Sequence, residues 1–290
     1  MGEKDTAEKL FLDYNDVFAD IVNGLLCKGE QVVQPDDLAM AQTISQYKVD
    51  GKLHEMIRDI CKYWKPGNVR IAIYGFENQT KVEKLMPFRV IGYDGNSYRA
   101  QLLKKKEEVV PVVTLVLYFG TETKWNQPTN IKALMDIPEW LDPYVSDYKM
   151  QVFNIAWLSP KALRRFKGDF RIVANFFVKK RKDPNYIPKD RTEIEHVDEL
   201  LKLMTALTGD QRYVEILNLE GGKIRNMCEV ASRLEKLGVQ KGLAEGRREE
   251  KKDTVLRFFD LGISIEKISV GVEESKRTVT KWLREAGRIQ

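Results

Sequence analysis

The stretch "DICKYWKPGNVRIAIYGFENQ", residues 59–79, contains two apolar runs separated by Pro66, Gly67 and Asn68. Two such runs around a short glycine-containing turn predict a β-hairpin. The second run passes from Phe76 directly to Glu77, with no loop between them. Because an ionised carboxylate is costly to bury unless another group compensates its charge, the hairpin predicts a partner for Glu77.

The partner of Glu77 follows from an assumed alignment of the two strands, in which Lys65 lies opposite Val69. Because side chains alternate between the faces of a sheet, Asp59, Glu77 and Gln79 then share one face. Neighbouring carboxylates repel each other, and Mg²⁺ or Mn²⁺, which prefer oxygen ligands, would remove that repulsion. A shift of one residue would separate the faces, and acid pairs beside a hairpin also occur without an ion, so spacing alone leaves both alternatives open.

A cation held by Asp59 and Glu77 would activate a bound water and stabilise negative charge on a scissile phosphate. The amide of Gln79 brings no positive charge, but it can orient the attacking water or donate a hydrogen bond to a phosphoryl oxygen. The two histidines, His54 and His196, belong to no Cys/His cluster, so no zinc site is expected. No GxxxxGK[ST] motif occurs, and hydrolysis would need no nucleotide cofactor.

The rest of the first 190 residues predicts a mixed α/β core. An amphipathic helix runs from Leu10 to Leu25 and ends near Gly29. "VEKLMPFRVIGYDGNSYRAQLLKKK" has helical spacing, and within it Arg89 is predicted to pair with a carboxylate rather than to contact phosphate. "VVPVVTLVLYFG" is typical of a fully buried strand. A proline-rich loop, a strand in "YKMQVFNIAWLS" and a helix in "FRIVANFFVKKRK" follow.

The last forty residues predict a separate module of three short helices, with turns at Gly262 and Gly271. Its third helix would expose Lys276, Arg277 and Lys281, as a DNA-binding helix–turn–helix does. A trihelical tail for oligomerisation or docking has the same pattern and stays an open alternative. We expect residues 1–190 to form the core domain, residues 191–250 a helical extension with a glycine-spaced connector, and residues 251–290 the module.

Composition narrows the class of protein. The formal net charge is +5, but residues 161–190 contain ten Lys/Arg and three Asp. This excess suits a polyanion such as DNA, with Lys179, Lys180 and Arg181 as candidate contacts, although a solvated helix face has the same pattern. Three distant cysteines favour a reducing cytoplasm. The longest apolar run is shorter than the roughly 20 residues that span a bilayer, so no membrane partner is expected.

Several segments together resemble a known family. Asp59, "YGFENQ" and "MPFRVIGYDGNSY", with "NDVFADIVN" before them and "VVTLVLYFGTETKW" after, resemble the PD-(D/E)XK nuclease superfamily. Within it they are most similar to Rpn family recombination-promoting nucleases, also described as YhgA-like putative transposases. The resemblance implies a restriction-endonuclease-like mixed sheet, Asp59 and Glu77 as Mg²⁺ ligands, Asp16 as a further acid, and Gln79 where the superfamily usually has lysine.

The resemblance also implies a function: a metal-dependent DNA endonuclease linked to recombination or transposition in a bacterium. A homodimer would most easily cut two strands. Two alternatives remain from the sequence. One is a non-catalytic DNA-binding or regulatory protein on a nuclease fold, and the other is an interaction protein that oligomerises through its helical tail.

Overall fold

The computed structural model describes residues 7, 10–41, 44–49, 52–57, 60–74, 83–103 and 109–289. For residues 44–49, 52–57, 72–74 and 220–221 it describes the backbone alone. The strands are β1 (Leu38–Met40), β2 (Ile44–Val49), β3 (Lys52–Ile57), β4 (Ile60–Trp64), β5 (Val69–Tyr74), β6 (Val112–Tyr118) and β7 (Gln151–Asn154). The helices are α1 (Asn15–Leu25), α2 (Met86–Leu103), α3 (Pro160–Leu163), α4 (Asp169–Lys182), α5 (Val197–Thr208), α6 (Arg212–Glu220), α7 (Met227–Asp260), α8 (Ile265–Gly271) and α9 (Lys276–Glu285).

A five-stranded mixed sheet organises the first part of the chain, in the order β1-β4-β5-β6-β7. The β1–β4 and β4–β5 pairs are antiparallel, whereas β5–β6 and β6–β7 are parallel. Parallel neighbours need a crossover connection, and α2 provides it between β5 and β6. The predicted hairpin, the helix after it and the buried strand are therefore confirmed, and the mixed α/β class with them.

Two features of the strands differ from the prediction. Before the hairpin, β3 pairs with β2 in a separate two-stranded sheet for which no strand pairing was predicted, whereas β4 belongs to the main sheet. The polar stretch after α1 also contributes β1 at the sheet edge, where Leu38 lies opposite Trp64. Neither feature has a clear signal in local periodicity, since strand pairing depends on contacts between distant segments.

The core packs on both sides of β6. Val116 contacts Met86, Val90 and Tyr93 of α2, so the crossover helix covers the sheet. At the end of β6, Phe119 meets rings from α4 edge to face, with centroid distances of 5.1 Å to Phe177 and 6.4 Å to Phe170. Each such buried ring stabilises the fold by about 1.5–3 kcal/mol. Arg89 of α2 pairs with Glu83, which confirms its predicted internal role.

The first helix is interrupted where a continuous helix was predicted. Residues 10–13 are helical, but Tyr14 has an extended backbone, with φ −64° and ψ 127°, and α1 begins after it. The break releases the backbone carbonyl of Asp13, which accepts a hydrogen bond from the ammonium of Lys62 in β4. The side chain of Asn15 then donates to the carbonyl of Pro35 at 3.0 Å. The predicted end near Gly29 is confirmed, because Gly29 has φ +97°.

The chain divides into two compact units, Met1–Ala231 and Ser232–Gln290. The predicted boundaries near residues 190 and 250 stay predictions. The second unit contains most of α7, from Ser232 to Asp260, with α8 and α9. Its buried core is built from six side chains: Val255, Ile268, Val272, Val279, Trp282 and Leu283.

The turns of this second unit are close to those predicted. Gly262, with φ +77°, makes the first turn, and Ser275 caps α9 by accepting from the N–H of Thr278 at 3.1 Å. The left-handed residue of the second turn is Glu273 rather than Gly271. Among the described residues, no helix is both long and apolar enough to span a bilayer.

Asn23 generates a prediction about stability. Its buried side chain donates to the carbonyl of Val33 at 2.8 Å and accepts from the N–H groups of Val32 and Val33 at 3.1 and 2.9 Å. Asn23→Ala leaves these backbone groups without their partner, so the free energy of unfolding should fall by about 3 kcal/mol in urea titrations. Exposed Gln34→Ala is the control and should change it by less than about 0.5 kcal/mol. Equal stability of the two variants would contradict this role.

Candidate metal centre

The predicted catalytic residues Asp59, Glu77 and Gln79 lie outside the described residues. The hairpin that leads to them is described, and its assumed alignment is wrong by one residue. Val69 lies opposite Trp64, not Lys65, because the loop holds four residues from Lys65 to Asn68. A shift of one residue exchanges the faces of a strand, so hairpin alternation no longer supports placing these residues together. Their assignment rests on the family resemblance and stays a prediction.

Three acids lie along α1 and the turn before it, and the structure distinguishes them. Asp20 is buried and accepts hydrogen bonds from the backbone N–H groups of Lys167 at 2.6 Å and Gly168 at 3.0 Å. Burial raises the pKa of Asp20, although both hydrogen bonds oppose this. Asp20 therefore holds the chain that enters α4, and Asp13 is exposed and pairs with Lys62 at 3.4 Å. Asp16 is the remaining acid for an ion.

Asp16 meets two residues from the segment before α5. The Nε2 atom of His196 lies 2.8 Å from its Oδ2, and Glu195 brings a second carboxylate. One ligand atom from each of the three residues lies within 4.8 Å of the others. The His196 ring stacks on Tyr14, with 3.6 Å between centroids. The break before α1 thus supplies the aromatic surface against which the imidazole is held.

Asp169, the first residue of α4, positions this segment. Its buried carboxylate accepts from the N–H of Glu195 at 3.1 Å and of His196 at 2.8 Å. Burial raises the pKa of Asp169, and the two hydrogen bonds act in the opposite direction. His196 is 180 residues from Asp16 along the chain, and no local spacing signals that the two would meet. Sequence reasoning missed His196 for this reason.

Lys62 is the second residue that sequence reasoning missed. It lies on β4 with 2% of its surface exposed, and its ammonium donates to the carbonyl of Asp13 and to the side-chain oxygen of Asn15. Burial lowers the pKa of Lys62, whereas the charges of Asp13 and Asp16 act to raise it. A buried positive charge therefore lies beside the acids of α1. Its sequence signal was a lysine inside the apolar run "ICKYW".

The donor set fits a divalent cation. Carboxylate oxygens suit Mg²⁺ and Mn²⁺, whereas the imidazole of His196 suits transition metals better than Mg²⁺. Because the imidazole contacts one oxygen of Asp16, the other oxygen can bind an ion while His196 fixes the orientation of the carboxylate. Metal-binding groups are commonly oriented by such outer partners. Asp16 therefore stays a predicted ligand, and His196 is a candidate for its positioning residue or for a further ligand.

The predicted DNA contacts of α4 have different surroundings. Lys179 is exposed. Lys180 lies over the ring of Phe176 at 5.5 Å, and Arg181 stacks on Trp157 at 4.2 Å while it donates to the carbonyl of Ala156 at 2.9 Å. Lys180 and Arg181 therefore have structural contacts, and their DNA-binding role stays a prediction.

In the second unit, the predicted contacts lie on the exposed face of α9. Lys276 pairs with Glu266 at 3.2 Å, and Lys281 lies 3.9 Å from Glu285. Arg277 is exposed, and no ion pair is described for it. Because exposed ion pairs contribute little energy, these lysines can exchange their partners for phosphate.

Lys62 generates a prediction about pH. Its folded-state pKa is lowered, so the native protein loses this proton before the unfolded chain does. The wild type should therefore gain stability relative to Lys62→Met as the pH rises through the folded-state pKa toward 10.5. Near pH 7 Lys62→Met should lower the free energy of unfolding by about 1–3 kcal/mol, because the carbonyl of Asp13 and the side-chain oxygen of Asn15 lose their donor. Urea titrations across this range test it, with exposed Lys65→Met as the control. A difference that does not change with pH would contradict the prediction.

Comparison with known proteins identifies one family. The family model described as "Putative transposase, YhgA-like" matches residues 21–208, which is 188 of 290 residues. The match includes the whole five-stranded sheet, Lys62 and His196, and it begins five residues after Asp16. No curated protein and no solved structure matches the chain. Because the family model covers more than half of the sequence, the chain belongs to the family of YhgA-like putative transposases.

Proposed function

We propose that this protein is a metal-dependent DNA endonuclease that acts in recombination or transposition, on a PD-(D/E)XK nuclease fold. The carrying observation is the position of Asp16, which contacts His196 at 2.8 Å and whose charge acts on buried Lys62. Membership in a transposase family supports a DNA-processing role. The mixed sheet, in which the hairpin leads toward Glu77, is compatible with the proposed fold.

In this proposal Asp59, Glu77 and Asp16 hold Mg²⁺ or Mn²⁺. The bound cation would supply a water activated at neutral pH and charge stabilisation at the scissile phosphate. His196 orients the carboxylate of Asp16, and Asp169 in turn holds His196 through its backbone N–H. Reaction in the cytoplasm would leave Cys27, Cys61 and Cys228 reduced, and within the described residues none of the three forms a disulfide.

The charge of Lys62 bears on the absence of a lysine at the position of Gln79. The superfamily usually places a lysine there, and an amide cannot replace its charge. Gln79 would orient the attacking water or donate to a phosphoryl oxygen. Lys62 keeps a positive charge near Asp16 with almost no exposure to solvent, so it acts through its field rather than by contact. A fixed charge in a poorly solvated position can stabilise negative charge that develops during reaction.

Nicking of supercoiled plasmid in Mg²⁺ or Mn²⁺ tests the nuclease. Asp59→Ala and Glu77→Ala should each lower the rate by about 100-fold or more, because each removes a ligand or its charge. Asp16→Asn, His196→Asn and Lys62→Met should lower it by about 10–100-fold, as changes around metal ligands do. Exposed Asp36→Asn is the control for loss of an acid and should keep the wild-type rate.

Binding of the same DNA in EDTA distinguishes the alternative of a non-catalytic DNA-binding protein. Every variant in the nicking experiment should still bind DNA, because none of the substitutions removes a lysine or arginine from the proposed DNA-binding surfaces. Equal nicking by the wild type, Asp59→Ala and Glu77→Ala would refute the catalytic assignment. DNA binding without any nicking would favour the non-catalytic alternative.

The role of the second unit is tested separately. All six buried core residues of this unit lie between Val255 and Leu283, so deletion of residues 252–290 removes the whole core. We expect the deletion to weaken DNA binding by about tenfold. The number of chains per assembly in solution should stay the same. Arg277→Gln on α9 should weaken binding about threefold, whereas exposed Lys267→Gln on α8 should not. Loss of a homodimer with unchanged DNA affinity would instead support an assembly role.

A further inference from the structure

A pocket of about 240 Å³ opens between α3, α4 and the chain near Asp190. Its lining combines apolar and basic side chains. The apolar residues are Pro160, Leu163 and Val178. The polar residues are the cations Arg164, Arg171, Lys179 and Lys182, together with Asn175 and Asp190.

Asp190 is the single acid among these lining residues, and hydrogen-bond donors and a cation already stabilise its negative charge. Partial burial alone would raise the pKa of Asp190, but hydrogen bonds from Thr192 and Asn175 and the charge of Arg171 lower it. The N–H of Thr192 donates to Asp190 at 2.9 Å, and Arg171 donates to the Thr192 hydroxyl. Asp190 and Arg171 are therefore linked through Thr192, and the charge of Asp190 is offset mainly by Arg171 rather than by the other three cations.

Those three cations face the cavity without an acid of their own. Within the part of the chain that the structure describes, no carboxylate forms an ion pair with Arg164, Lys179 or Lys182. Lys179 and Lys182 belong to the last turn of α4, where cations also interact favourably with the helix dipole. Arg164 is the C-cap of α3, whose four residues give a smaller dipole than the fourteen of α4. Convergence of cations from two helices indicates a site for an anion.

We propose that this pocket binds a phosphodiester group of the nucleic-acid backbone. Arginine side chains recognise phosphate oxygens through paired N–H groups, and lysines add charge without strict geometry. The proposal rests on the proposed function, because DNA is taken as the substrate. It replaces the broad basic stretch with a defined subsite, in which Lys179 acts together with Arg164, Arg171 and Lys182 rather than with Lys180 and Arg181.

The pocket lies close to the candidate centre along the chain. Arg171 holds Thr192 at the pocket, and Asp169 holds Glu195 and His196 at the centre. His196 is four residues after Thr192, so their Cα atoms are at most about 14 Å apart. Successive phosphates of one strand are about 3.4 Å apart along a duplex axis. A strand bound at the centre therefore has a phosphate within reach of the pocket a few nucleotides away.

Binding to labelled DNA of about 20 nucleotides, single-stranded and duplex, tests the pocket in EDTA between 50 and 200 mM salt. The double variant Lys179→Gln/Lys182→Gln should raise Kd about tenfold and reduce the salt slope by about one. Arg164→Gln is an independent second variant and should act in the same direction. Lys149→Gln/Lys202→Gln removes the same charge elsewhere on the unit and should change Kd less than about twofold.

Unchanged affinity in both pocket variants, or an equal loss in the control, would overturn the proposal. A free phosphate ion would present the same chemistry, so thermal stabilisation by inorganic phosphate is measured in parallel. Loss of that stabilisation with intact DNA affinity would also overturn the backbone assignment. Because binding is measured without metal, a protein that binds DNA through this pocket but does not cut it refutes the nuclease and leaves the pocket standing.

Discussion

The buried ammonium of Lys62 is the interaction on which the first unit depends, because it joins the sheet to the acids of α1. It satisfies the carbonyl released by the break at Tyr14 and contacts Asn15, whose amide reaches the chain before β1. A lysine with this little exposure is costly unless hydrogen bonds and opposite charge surround it. The helix break, the acid pattern of α1 and the register of β4 therefore form one constraint.

Two further carboxylates convert this constraint into a defined geometry. Asp20 and Asp169 each accept two backbone N–H groups, one pair at the entry to α4 and one pair at His196. Both carboxyl groups are buried and have raised pKa values, so the ionised form of each is less stable in the folded protein than in water. The two backbone N–H donors of each group offset part of this cost. Charged groups in such positions are typical of sites where structure serves chemistry.

Local patterns predicted most elements of the fold, and long-range contacts explain what they missed. The helix at Met86–Leu103 and the buried strand at Val112–Tyr118 follow from residue periodicity and composition, and both are present. The hairpin register is wrong by one residue because a four-residue loop replaces the assumed three-residue turn. In the candidate site, Asp16 was predicted from the family resemblance. Lys62 and His196 could not be predicted, because their roles depend on contacts with residues that lie far away in the sequence.

The attachment of one short segment to a single helix has a thermodynamic consequence. Residues 190–196 are fixed by α4 at both ends, through Arg171 on one side and Asp169 on the other. Both anchoring side chains come from the first turn of α4, so the pocket end and the His196 end of the segment share one helix. If occupancy of one end changes affinity at the other, linkage requires the reverse effect to be equal in size. A single coupling free energy would then describe how binding at each end of residues 190–196 affects binding at the other.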